Sequence, residues 1–328
     1  MDSVDLNVLR AVLDWRRAGQ RVRLYTVVQT WGSAPRPPGA MLALRGDGML
    51  IGSVSGGCIE DDLIERQRDG RAEAGVELIT YGVSREEAAR FGLPCGGTLR
   101  LVAEEIDDPA WVEELLARCA DHQLVARELE LASGRSVLLP ASRGDQLRFD
   151  GERLRAVYGP RWRLLLIGAG QLSRYVSEMA RMLDFEVLIC DPREEFAYGW
   201  EDDHARFVPG MPDDAVLAIA PDERTAIVAL THDPRLDDMA LLTALGSPDF
   251  YVGALGSRVN SAKRRERLAY LGLPEADVAR LHGPIGLPIG SHTPPEIALS
   301  LLAEIVALKN GAAAAARQPR QEVCGQPA

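Results

Sequence analysis

The sequence predicts an α/β protein, an N-terminal α/β domain followed by a Rossmann-like domain with a doubly wound parallel sheet. Three observations lead there. A length of 328 residues exceeds one ordinary domain and fits two. The second half opens with an apolar run, Leu164 to Ile167, followed at once by Gly168-Ala169-Gly170. That is the pattern of a strand buried on both faces that turns into a helix. After it, strand-like and helix-like segments alternate, as parallel sheets require.

Element by element, Leu6, Leu9, Val12 and Leu13 recur at helical spacing, so the chain opens with an amphipathic helix that Gly19 stops. Val22 to Trp31 is β-rich. Gly32 to Gly39 is a stiff loop, because its prolines fix φ and lack an amide donor. Met41 to Leu44 and Met49 to Val54 form a hairpin around Gly46-Asp47-Gly48. Then come a helix from Glu60 to Arg68, a strand from Val76 to Tyr81, a short helix from Arg85 to Phe91 and a strand from Thr98 to Val102. A helix from Trp111 to Ala120 and a strand meander from Leu124 to Phe149 complete the first half. The pattern resets over Asp150 to Pro160. Beyond it lie the strand ending at Ile167, a helix to about Leu183, and strands at Glu186–Cys190, Thr225–Leu230 and Phe250–Ala254. The last helix, Pro294 to Lys309, starts on a proline that needs no amide there. This divides the chain into domains at 1–156 and 157–312, with a frayed tail at 313–328.

A net charge of −11 repels nucleic acid and anionic membranes, so neither is an expected partner. No apolar run reaches the ~18–20 residues of a membrane span. The N-terminus carries Asp2 and Asp5 where a signal peptide carries Lys or Arg, so a cytoplasmic location is expected. The five cysteines, Cys58, Cys95, Cys119, Cys190 and Cys324, are odd in number and form no CxxC pair. They suit neither a disulfide framework nor a zinc ribbon, and a thiol that matters must act singly.

In the second domain, Gly168-Ala169-Gly170-Gln171-Leu172-Ser173 is a dinucleotide fingerprint with serine in the third glycine's place. The first glycine permits the tight turn, the second lets a phosphate approach the backbone, and the third position packs helix on sheet. The helix start attracts the anion. Asp191 lies ~20 residues on, where an acid can bind a ribose. Arg193 beside it takes a phosphate or pairs with Glu194 or Glu195. Thr231-His232-Asp233 and Gly253-Ala254-Leu255-Gly256-Ser257-Arg258 follow later strands, at the carboxyl ends where open sheets bind ligands. Gly256, Ser257 and Arg258 read as an anion site at a helix start. Lys263, Arg264 and Arg265 extend it as a basic patch, or form a solvated face with Glu266. Thr293 reads as an N-cap and His292 as a site-rim residue.

In the first domain, Gly52-Ser53-Val54-Ser55-Gly56-Gly57-Cys58-Ile59-Glu60 is the most unusual segment. Its glycines should expose backbone amides, and Cys58 should sit near a helix start, where the dipole favours a thiolate. Cys95, in Pro94-Cys95-Gly96-Gly97, has the same character. Each is a candidate soft ligand or nucleophile, or else a small buried packing residue. Cys119 and Cys190 read as core.

Together, Gly32-Ser33-Ala34-Pro35-Arg36, the Gly52–Glu60 segment and Pro94-Cys95-Gly96-Gly97 resemble the N-terminal domain of the XdhC/CoxI family. Leu166-Ile167-Gly168-Ala169-Gly170, Asp191-Pro192-Arg193, Thr231-His232-Asp233, Gly253 to Arg258 and Gly283 to Gly290 resemble that family's Rossmann domain. The resemblance covers nearly the whole chain in order. It implies an accessory factor that binds molybdenum cofactor (molybdopterin) as cargo, supports its sulfuration with a cysteine desulfurase, and delivers it to a xanthine-dehydrogenase-type apoenzyme. It also implies a homodimer, and a chaperone without turnover of its own. The expected cofactor-binding residues are Arg36, Ser55, Gly56, Gly57, Cys58, Glu60 and Cys95 in the first domain. In the second they are Gly168, Gly170, Asp191, Arg193, His232, Asp233, Gly256, Ser257 and Arg258, with Cys58 facing the molybdenum of the cargo. The alternative is an NAD(P)-dependent oxidoreductase with Cys58 or His232 in catalysis. Against it stand Ser173 and the lack of a recognisable Tyr-Lys or His-Asp arrangement.

Overall fold

A computed structural model of the chain describes residues 3–31, 36–72, 74–82, 98–142, 144–197, 200 and 205–312. It divides into two units, Met1–Pro160 and Arg161–Ala328. The expected helix at Arg85–Phe91, Cys95, Cys324 and the tail lie outside the described residues.

The first unit opens with helix α1 (Ser3–Arg17) and strands β1 (Val22–Trp31), β2 (Met41–Arg45) and β3 (Leu50–Gly52). Helix α2 (Cys58–Arg68) and strands β4 (Val76–Tyr81) and β5 (Thr98–Glu105) follow. These five strands form an antiparallel sheet in the order β3-β2-β1-β5-β4. Alternation along β1 sends Tyr25 and Val27 to one face and Leu24 and Val28 to the other. The first face packs on α2 through Ile59 and Leu63. The second packs on α1 through Val8, Leu9 and Val12, and on helix α3 (Ala110–Ala120) through Val112, Leu115 and Cys119. A small antiparallel sheet shares that core: β6 (Val125–Glu130), β7 (Ser136–Pro140), β8 (Arg148–Phe149) and β9 (Arg153–Tyr158), in the order β7-β6-β9-β8. The stretch Asp150–Pro160, expected as a reset, therefore carries β9, which pairs with β6 over its whole length.

The second unit alternates strand and helix: β10 (Arg163–Ile167), α4 (Gln171–Met182), β11 (Glu186–Cys190), α5 (Glu194–Ala197), β12 (Arg206–Phe207), α6 (Pro212–Ala218) and β13 (Thr225–Ala229). It continues with α7 (Pro234–Leu245), β14 (Tyr251–Ala254), α8 (Arg258–Tyr270), α9 (Glu275–Ala279), β15 (Leu281–His282) and α10 (Pro294–Lys309). All pairings are parallel, and the order β12-β11-β10-β13-β14-β15 is that of dinucleotide-binding folds. Every residue of β10, β13 and β14 is buried, which explains their unbroken apolar runs. One face packs on α4 and α10 through Val176, Ala180, Ala298, Leu301 and Ile305. The other packs on α6, α7 and α8 through Val216, Leu241, Leu245 and Leu268.

Candidate functional site

The strand order reverses between β10 and β13, and Gly168 stands at that switch point. Its φ is +109°, and a Cβ there would lie 3.0 Å from the Thr231 amide nitrogen and 3.1 Å from the Leu230 carbonyl carbon. Glycine is required because two loop backbones touch. Ser173 accommodates the third glycine's role: it is buried, and its hydroxyl donates to the Gly168 carbonyl at 2.6 Å. Gly170 precedes the first turn of α4, and among the described residues no side chain caps it. A Cβ on Gly170 would meet nothing within 4 Å.

Asp191 is turned inward. Its Oδ2 accepts from the Ala169 amide at 2.8 Å and from Arg193 Nη2 at 2.7 Å, and its Oδ1 accepts from Arg193 Nε at 2.8 Å. Burial by itself raises this carboxyl, but the Arg193 and Ala169 bonds outweigh it and hold the group below the usual range. The side chain has no exposed surface. A ribose hydroxyl would have to displace one of these donors. Arg193 pairs with Asp191 rather than with Glu194 or Glu195, and lies 4.0 Å from the Phe196 ring centroid.

The later loops join this turn through a buried ion pair. Asp237 Oδ1 accepts from Thr231 Oγ1 at 2.7 Å, and Asp237 Oδ2 accepts from Arg264 Nη2 at 2.8 Å. Arg264 Nη1 donates to the Leu255 carbonyl at 3.0 Å. The expected basic patch is thereby corrected. Arg264 points into the core, Arg265 donates to the Leu281 and Gly283 carbonyls, and Lys263 stays exposed. His232 is exposed in the left-handed region, φ +63°, rare for a residue with a side chain. Asp233 caps α7 and Ser257 caps α8. Arg235 beside Asp233 brings that carboxyl down to about 2. Arg258 is exposed in the first turn of α8. At α10, Thr293 and Glu296 close the helix start, and Glu296 accepts from the amides of His292 and Thr293.

In the first unit the glycine turn closes on an acid from the same chain. Glu60 Oε1 accepts from Ser53 Oγ at 2.8 Å and from the amides of Val54, Ser55 and Gly56 at 2.9, 2.9 and 3.1 Å. Its Oε2 accepts from Ser55 Oγ and from the Gly57 amide at 2.9 Å. Burial raises the Glu60 carboxyl, and this ring of donors, Ser55 foremost, overrides it and brings the group down to about 2. The amides expected to face an outside anion thus hold an internal one. Cys58 begins α2 directly beyond them, and Arg36 is half-buried between β1 and β2. Cys119 is core, as read from the sequence. Cys190 is also buried, which pushes its thiol up to about 12.

One group escaped the sequence reading. Glu304 of α10 is buried, and its Oε2 accepts from Tyr251 Oη at 2.8 Å and the Gly286 amide at 2.7 Å. His282 Nδ1 lies 3.1 Å from Glu304 Oε1, and the imidazole stacks on Tyr251 with centroids 4.4 Å apart. The available signal was the pairing of a histidine and an acid around Gly283–Gly290, residues that only the fold brings together.

The second unit is thus a Rossmann domain with its glycine turn at the switch point. Comparison with known proteins narrows this. A profile described as the XdhC Rossmann domain matches residues 164–305, and one described as the XdhC and CoxI family matches residues 15–82. The chain belongs to the XdhC/CoxI family. It is 25% identical to the molybdenum cofactor insertion chaperone PaoD of Escherichia coli K12, over 92% of this chain and 88% of that protein. It is 26% identical to a probable xanthine dehydrogenase subunit of Bacillus subtilis 168, over 86% and 92%. It is 28% identical to the uncharacterized protein YqeB of E. coli K12 over 87% of this chain, which spans only 43% of YqeB. A solved structure described as a xanthine dehydrogenase from Bacillus halodurans shares the fold, with TM-score 0.73 and 22% identity over 94% of this chain and 98% of that one.

Proposed function

We propose that this protein is a molybdoenzyme maturation factor that binds molybdenum cofactor as cargo, supports its sulfuration and delivers it to a xanthine-dehydrogenase-type apoenzyme. The reading is supported by its family and by PaoD, which aligns over nearly the full length of both chains. The structural observation that carries it is the glycine turn at the sheet's switch point, where Gly168 leads through Gly170 into α4 and the N-cap, Gly170, makes no side-chain capping bond. We therefore assign the cargo's phosphate to the Gly168–Gly170 turn, with Arg258 as the added cation and His232 at the rim. In the first unit, Glu60 orders the glycine turn at the start of α2, and Cys58, the first residue of that helix, is kept as a candidate soft ligand or nucleophile. Arg36 and Cys95 are proposed as further cofactor-binding residues.

A cysteine desulfurase, a homodimeric state and a cytoplasmic location belong to the same proposal. Among the described residues no helix is long and apolar enough to cross a membrane. The NAD(P) alternative is less well supported, because Asp191 is committed to Ala169 and Arg193. The test is to purify the full chain anaerobically from cells making the cofactor, and to take the mass and absorption spectrum of what copurifies. A molybdopterin that activates an added apoenzyme is the expected result. A nicotinamide, or no pterin and no activation, would overturn the proposal.

A further inference from the structure

The end of β11 is where a dinucleotide-binding fold seats a ribose, whose hydroxyls donate to an acid at that position. Here the acid is present and already full. A carboxylate has about four lone-pair sites. Oδ1 of Asp191 accepts from the Arg193 amide at 3.1 Å and from Arg193 Nε at 2.8 Å. Oδ2 accepts from the Ala169 amide at 2.8 Å and from Arg193 Nη2 at 2.7 Å. All but one of these donors belong to Arg193. Its Nε and Nη2 grip the carboxylate in the bidentate manner, a strong geometry, and the Asp191 side chain is left with no exposed surface. Phe196 holds the guanidinium from another side, with the ring centroid 4.0 Å from Arg193 Cζ. Pro192, between the acid and the cation, fixes φ and narrows the freedom of the loop. The Ala169 peptide is pinned as well: its amide goes to Asp191, and its carbonyl accepts from Trp200 Nε1 at 2.8 Å. The β11 side of the Gly168–Gly170 turn is therefore closed. At Gly170 itself a Cβ would meet nothing within 4 Å. The room that a phosphate needs is present, and the acceptor that a ribose needs is taken.

We propose that Arg193 is a specificity-determining residue of the second unit: by occupying Asp191 it bars a ribose from the end of β11, so the unit takes a phosphate ester whose organic part is not a nucleoside seated there. The inference rests on the reading of this unit as the holder of a phosphorylated ligand, and it narrows the class of that ligand. A ribose would have to displace a cation from a buried carboxylate, and neutral hydroxyl donors do not replace charged ones in kind. Arg193 is equally no receptor for a phosphate on the ribose, because its Nε and Nη2 are spent on Asp191.

The test titrates the full chain with NAD and with NADP by calorimetry, as wild type, Arg193→Ala and the double variant Arg193→Ala/Asp191→Ala. Arg193 is a loop residue with 29% of its side chain exposed, and neither apolar core of the unit includes it. Arg193→Ala should bind NAD at least about tenfold more tightly than wild type, a gain that a damaged fold does not produce. Adding Asp191→Ala should cancel the gain, which ties it to the freed carboxylate. Arg193→Ser, with the same gain expected, serves if the alanine protein folds poorly. An Arg193→Ala or Arg193→Ser protein that is folded by circular dichroism and keeps the wild-type NAD affinity overturns the proposal. So does a wild type that prefers NADP to NAD and loses that preference in Arg193→Ala, since Arg193 would then receive the extra phosphate. Tight NAD binding by the wild-type chain overturns it without any variant. A gain of NAD binding in a chain that carries no pterin retires the carrier reading alone. No gain, in a chain that carries it, retires the role of Arg193 alone.

Discussion

Replacing Glu60 by glutamine tests the first unit's turn most directly. One carboxylate there accepts from four amides and two hydroxyls. Glutamine keeps one acceptor oxygen and places an NH2 group where Oε2 stood, facing the Ser55 hydroxyl and the Gly57 amide. Two donors lose their acceptor, at ~1–3 kcal/mol for each buried one. The titration leads to a similar figure. A carboxyl that falls from an ordinary 4.5 to about 2 carries ~3 kcal/mol, at ~1.4 kcal/mol per pH unit. Because the folded value is the lower one, this stability is complete above about pH 5 and is lost as the pH falls through 4.5 towards 2. The assay is amide hydrogen exchange on peptides spanning Ser53 to Glu60, corrected for intrinsic rates. At neutral pH, Glu60→Gln should cut protection of this segment ~100-fold while leaving β10 and β13 unchanged. The wild-type advantage should shrink on acidification. Equal protection in the two proteins at neutral pH, or a difference that ignores pH, would refute the reasoning.

Gly168→Ala forces a Cβ to 3.0–3.1 Å from the Leu230–Thr231 backbone at φ +109°. It should destabilise the second unit by ~2 kcal/mol or more in chemical denaturation followed by exchange in β10. Gly52→Ala would bring a Cβ to 2.3 Å from the Met41 carbonyl oxygen, so low yields of folded protein are expected, read from expression and circular dichroism. Arg258→Ala should weaken pterin binding about tenfold or more, the loss of one charge-assisted bond, as measured by titration. Cys190, its thiol pushed up to about 12 by burial, should resist alkylation in the folded chain and react once denaturant is added, as mass spectrometry would show.

Much of the fold was legible because burial on both faces writes itself as an unbroken apolar run. Leu164–Ile167 and Ala226–Ala229 could hardly be anything but central strands. Arg206–Phe207 and Leu281–His282 were not legible, because two residues are too few for any period to show. The site was legible as a set of glycine turns and acids, but not in the direction each side chain takes. Glu60 lies close in sequence to the amides it binds, yet nothing local says that it folds back on them rather than facing a ligand. Arg264 reads as one of three neighbouring cations. It turns inward because Asp237, from the preceding helix, needs a counter-charge in the core. Glu304 has the same history: an acid on an apolar helix whose partners come from β14, β15 and the following loop.

The close approach of Gly168 to Leu230 and Thr231 leaves the two crossovers no slack between them. Thr231 is in turn bound to Asp237, and Asp237 to Arg264, which grips Leu255. A molecule that presses on the first turn therefore leans on the start of α8 without touching it, as a keystone loads both sides of an arch.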